Sequence, residues 1–85
     1  MNKEAIKKAT NLIRKVYSLS GGEAGGPLHI VLDDYNVEKH HIKWCLGHLY
    51  DEDYGYSEEL KLVSKELAEL MLTMTEEECL KALGI

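Results

Sequence analysis

Apolar residues return at intervals of three and four along most of this chain, and that helical period constrains its fold more than any other feature. Ala5, Ile6, Ala9, Leu12, Ile13, Val16 and Tyr17 form the stripe of an amphipathic helix expected over about residues 2–18. Ile42, Cys45, Leu46 and Leu49 predict a second helix over about 36–49. Asp34 or Asn36 is its expected cap, since a short side-chain oxygen accepts from the orphaned amides of a first turn. Leu60, Val63, Leu67, Leu70, Met71 and Met74 predict a third helix, opened by Ser57 with Glu58 and Glu59 in its first turn, and expected to be the longest. Thr75 and Glu78 have capping-box spacing and open a short last helix, with Leu80 and Leu83 facing inward and Gly84 ending it.

One segment breaks the pattern. Between Ser18 and Pro27 stand two glycine pairs, Gly21-Gly22 and Gly25-Gly26, which sustain neither helix nor strand. Leu28-His29-Ile30-Val31-Leu32 follows, short, apolar and β-branched, bounded by Pro27 and Asp33-Asp34, and it predicts a strand. A lone strand leaves its backbone donors and acceptors unpaired, so it requires a partner, and a second copy of the chain supplies one. The expected fold class is therefore mainly α (α+β), with about four helices and one short strand paired across a homo-oligomer. Neither a repeat nor a dividing linker interrupts 1–85, which is read as a single domain.

At 85 residues the core is thin, because a domain of this size hides roughly 60–65% of the surface its unfolded chain exposes. Fifteen acidic against ten basic residues give a net charge of -5, which repels a phosphate backbone and argues against duplex nucleic acid as partner. Lys3, Lys7, Lys8, Arg14 and Lys15 gather on the first helix as a solvated face. No run approaches the roughly 18 apolar residues of a membrane span, and Met1-Asn2-Lys3-Glu4 leads straight into a helical pattern with no signal-peptide character. With only Cys45 and Cys79, far apart in sequence, the expected compartment is the reducing cytoplasm, with both thiols packed as small hydrophobes.

The polar and aromatic groups suited to binding are concentrated between Gly21 and His48, a stretch that holds all four histidines and the single tryptophan. Ligands in strand-to-helix layouts sit beyond the carboxyl end of the strand. That places Gly25, Gly26, His29, Asp33, Asp34, Asn36, His40 and Trp44 in the candidate ligand site. The glycines can close over a ligand or cradle a phosphate, although they precede the strand and lack the Gly-Lys-Ser/Thr of a Walker loop; the plainer reading is a flexible connection. Asp33 and Asp34 can hold ribose hydroxyls, an amine or a cation, or act as a cap and a turn residue. His40, Trp44 and His48 share a face at i, i+4 and i+8 as a stacking platform, whereas the ordinary account of Trp44 is a core residue against the third helix. His41, Cys45 and His48 at i, i+4 and i+7 have zinc-compatible spacing with His29 as fourth ligand. Cys45 nonetheless belongs to the apolar stripe and no paired-cysteine knuckle exists, so the chain is read as free of metal and cofactor. No nucleophile, base and oxyanion donor form a complete set, and the chain is not read as an enzyme.

The run Gly25-Gly26-Pro27-Leu28-His29-Ile30-Val31-Leu32-Asp33-Asp34-Tyr35-Asn36-Val37-Glu38, followed by His41-Ile42-Lys43-Trp44-Cys45, resembles small uncharacterised proteins encoded by bacteriophages and prophages. The likeness covers about a quarter of the chain. It implies a place in the host cytoplasm and an action against host defence, either by sequestering a nucleotide immune signal or by blocking a host protein. Clustering of polar and aromatic groups at one junction favours a small-molecule ligand of the nucleotide class, with Lys39, Lys43 and Arg14 as the cations for a phosphate. The alternative is an acidic protein-binding inhibitor that uses Asp51, Glu52 and Asp53 with Tyr54 and Tyr56.

Overall fold

A computed structural model describes residues 2–19 and 36–84. Helix α1 runs Lys3–Leu19 and α2 runs Lys39–Tyr50; a short 3-10 turn at Glu52–Tyr54 leads to α3, Glu58–Thr73, and then to α4, Glu76–Ala82. Among the described residues 82% are helical and none lies in a strand. The expected strand at residues 28–32, and its pairing across subunits, fall outside the described residues.

The apolar period becomes the core directly. Ala9, Leu12 and Val16 are the buried face of α1, Ile42, Cys45, Leu46 and Leu49 that of α2, and Leu60, Val63, Leu67, Ala68 and Met71 that of α3. Helix α3 is the centre of the bundle: α1 and α2 both pack on it, and α4 closes against α1. The expectation that α3 is the longest element is corrected by one residue, since α1 has 17 and α3 has 16. Both thiols are buried. Burial first, and then the charges of Glu78 and Glu76, push the Cys79 thiol up to about 11, and it donates to the Met71 carbonyl at 3.4 Å, so it is an inert packing group.

Ser57 caps α3 as its sequence predicts, its Oγ accepting from the Leu60 amide at 3.2 Å. The start of α2 differs. The sequence places a cap at Asp34 or Asn36, but the N-cap position is Glu38, and its side chain makes no capping bond. The Asn36 Oδ1 accepts from the Glu38 amide at 3.1 Å and so forms a turn two residues ahead of the helix. Val37, one residue before the cap, and Ile42, at the fourth helical position, both lie in the core; this is the arrangement of a hydrophobic staple, which draws the chain inward at Val37 and delays the helix. Asp34 lies outside the described residues.

Helix α4 is fixed by a full capping box: the Thr75 hydroxyl accepts from the Glu78 amide at 3.1 Å, and the Glu78 carboxylate accepts from the Thr75 amide at 2.8 Å. The same carboxylate also accepts from the Asn2 amide at 2.6 Å, tying the entry to α1 onto α4. The Thr75 amide bond first, and the Asn2 amide bond second, hold the Glu78 carboxyl below its ordinary range. A carboxyl with a lowered folded-state pKa contributes stability in full above its unfolded value, about 4.3, and loses it as pH falls through the folded value. Glu78→Gln is expected to lower the urea midpoint at pH 7, because an amide offers one oxygen where the carboxylate offers two. It is also expected to shrink the loss of midpoint between pH 5 and pH 3. Equal acid-induced losses in the two proteins would show that Glu78 is not the group responsible.

Candidate functional site

The stripe that buries one side of α2 turns the other side outward. Successive helical residues are set 100° apart, so Trp44 stands about 100° from Cys45 and about 160° from Ile42. The expectation of a core Trp is corrected by this geometry: the Trp44 side of α2 faces solvent, with the residue 58% exposed. Trp44 forms an edge contact with His48, centroids 4.6 Å apart at 77°, and His48 lies 5.2 Å from the Tyr54 ring at 56°. His41 also stacks with Trp44, at 6.3 Å and 30°. Lys43, Trp44, Gly47, His48, Tyr50, Asp51 and Tyr54 line an open groove of ≈ 410 Å³ along this face.

Tyr54 reaches the groove through the turn that follows α2. The Asp51 Oδ1 accepts from the Asp53 amide at 2.9 Å and caps the 3-10 turn. Gly55 ends it at φ 69°, a left-handed conformation that glycine adopts without a Cβ clash. From α3, the Lys61 amine pairs with Glu58 at 2.6 Å and Glu52 at 2.9 Å. The Lys61 stem is packed away and its side chain is 10% exposed, so the ammonium is held in place and fixes the turn to α3. Glu58 first and Glu52 second raise the Lys61 pKa, which keeps the amine charged. A methyl group at Gly47 would meet the Tyr50 hydroxyl at 3.8 Å, an ordinary contact, so its lack of a side chain leaves space without being required by the backbone.

The residues expected from sequence divide sharply. Gly25, Gly26, His29, Asp33 and Asp34 lie outside the described residues. Asn36 spends its side-chain oxygen on the turn before α2. Of the expected His40 to His48 platform, His40 is exposed with its Nδ1 3.3 Å from the Glu38 carboxylate and is not among the groove residues, whereas Trp44 and His48 are. Trp44 is the expected site residue that lines the groove. Of the zinc-spaced trio, the Cys45 Sγ lies 3.5 Å from His41 Nε2, while His48 Nδ1 turns to the Trp44 carbonyl at 2.7 Å. Among the described residues no three His, Cys, Asp or Glu side chains are grouped as a metal site, and His29 lies outside them.

Gly47 and Tyr50 were not in the expected site, whereas Lys43, expected as a cation for a phosphate, does line the groove. Among the described residues the groove offers aromatic faces, one ammonium at Lys43 and one carboxylate at Asp51, suited to holding a flat ring that bears polar groups. Comparison with protein-family models, with curated proteins and with solved structures finds no match to this chain.

Proposed function

We propose that this chain binds a small planar ligand of the nucleotide class in the α2 groove and holds it without chemical change, in the manner of a phage-type protein that sequesters a nucleotide immune signal. The observation that carries this reading is Trp44, exposed yet set in a ring cluster with His48 and Tyr54 along a ≈ 410 Å³ groove. A volume of that size falls within the range of about 300–1,000 Å³ typical of ligand sites. A base stacks on the rings, and Lys43 supplies the cation for a phosphate. The proposal includes a homo-oligomer built by pairing the strand expected at residues 28–32.

The test is incubation of the purified protein with a panel of cyclic and linear nucleotides, removal of unbound material, heat release and chromatography of what was bound. Release of an unaltered nucleotide is the expected result. A converted product, or no retained nucleotide, overturns it. Light scattering on the same preparation reads the assembly, and a mass near the 9.6 kDa of one chain at every concentration removes the oligomer from the proposal.

A second reading is favoured by one observation, the exposed Asp51, Glu52 and Asp53 beside exposed Trp44 and Tyr54. Aromatic anchors within an acidic rim suit docking to a basic site on a host protein. Steep loss of activity with ionic strength separates this inhibitor from a groove that encloses a small ligand.

A further inference from the structure

The orientation of His48 specifies what the groove can read. Its Nδ1 lies 2.7 Å from the Trp44 carbonyl oxygen, which only accepts, so Nδ1 carries the hydrogen. In the neutral form of that tautomer the lone pair lies on Nε2. Among the described residues Nε2 makes no hydrogen bond. The ring around it is restrained by the Nδ1 bond and by its contacts with the Trp44 and Tyr54 rings. Asp51, which also lines the groove, adds a second acceptor: its Oδ1 takes the Asp53 amide, and among the described residues its other oxygen makes no hydrogen bond. Among the described residues Lys43 is the single cationic donor in the lining.

We infer that His48 is the specificity-determining residue of the groove, its Nε2 accepting from an N–H group on the edge of the stacked ring, so that the ligand is an amino-bearing heterocycle of the 6-aminopurine class. This rests on the ring-binding reading above and names its chemical class. A ring whose edge offers only acceptors leaves Nε2 and the Asp51 oxygen without partners as water is displaced, and it is rejected for that reason.

Trp44 is the only tryptophan, so its fluorescence reports occupancy directly. The experiment titrates the whole chain with adenosine, with purine riboside, which lacks the amino group, and with N6,N6-dimethyladenosine, which lacks its hydrogens. Adenosine is expected to bind about tenfold more tightly than either analogue. In His48→Phe, which keeps the ring and removes the acceptor, the three are expected to converge to within about twofold, and His48→Gln is expected to restore part of the preference. Quenching by all three nucleosides with equal affinity in the wild type overturns the assignment of His48 while leaving ring binding intact. A preference that survives His48→Phe overturns it equally. Absence of quenching by any of them removes the ring-binding reading itself, and this inference with it.

Discussion

Leu67→Ala is expected to destabilise the protein by about 2–5 kcal/mol, the cost of deleting a buried leucine and leaving a cavity. Leu67 is 0% exposed on α3, the helix on which both α1 and α2 pack, so a void there is bordered by rigid neighbours on more than one side. For 85 residues the whole stability is on the order of 4–13 kcal/mol. One truncation therefore removes a large share of it, and the small size of the core is the reason. With a urea slope of about 1 kcal/mol/M, the midpoint falls by roughly 2 M or more. Leu62→Ala on the same helix is the control. Leu62 is 68% exposed, and a surface truncation shifts stability by about 0.5 kcal/mol or less. Equal midpoint shifts in the two variants would mean that α3 is not the centre of the packing.

The legibility of this fold depends on whether a feature is local. Burial along α2 and α3 is set by a repeat of three and four residues, and the periodic residues Ile42, Cys45, Leu46, Leu49, Leu60, Val63 and Leu67 are all buried. The Ser57 and Thr75 caps were readable for the same reason, since each needs only a partner three residues away. Asn36 was ambiguous because one side-chain oxygen can cap a helix or close a turn, and the choice was made by the burial of Val37, a tertiary event.

Trp44 illustrates the opposite error. Its identity suggested a core residue, while its angular distance from the Ile42, Cys45, Leu46 and Leu49 stripe already placed it outside. The groove was legible in part. Trp44 and His48 are one helical turn apart and had to be neighbours. The arrival of Tyr54 depends on a 3-10 turn pinned by Lys61 from a different helix, and no spacing within α2 encodes that.

Trp44→Ala is expected to weaken ligand binding by about 5- to 150-fold, the equivalent of the roughly 1–3 kcal/mol that a base gains by stacking on an aromatic side chain. A buried tryptophan would make this experiment ambiguous, because its truncation costs about 3–5 kcal/mol of stability and confuses binding with folding. Exposure of Trp44 lessens that difficulty: the lost ring contacts are those with His41 and His48, worth about 0.5–1.5 kcal/mol each, below the cost of a buried tryptophan. The variant should therefore keep its helical circular dichroism and most of its urea midpoint while losing retention of the released nucleotide. Gly47→Leu approaches the same groove from the opposite direction. Its Cβ meets the Tyr50 hydroxyl at an ordinary 3.8 Å, the change favours the helix by up to about 1 kcal/mol, and the side chain fills the space in front of Tyr50. If both variants stay folded and still retain nucleotide at wild-type affinity, the groove is not the binding site. If Trp44→Ala alone loses it, the rings hold the ligand outside the space that Gly47 leaves open. Loss in both, with stability preserved in both, is the result expected of a ligand ring seated beside Trp44 in the groove along the α2 face.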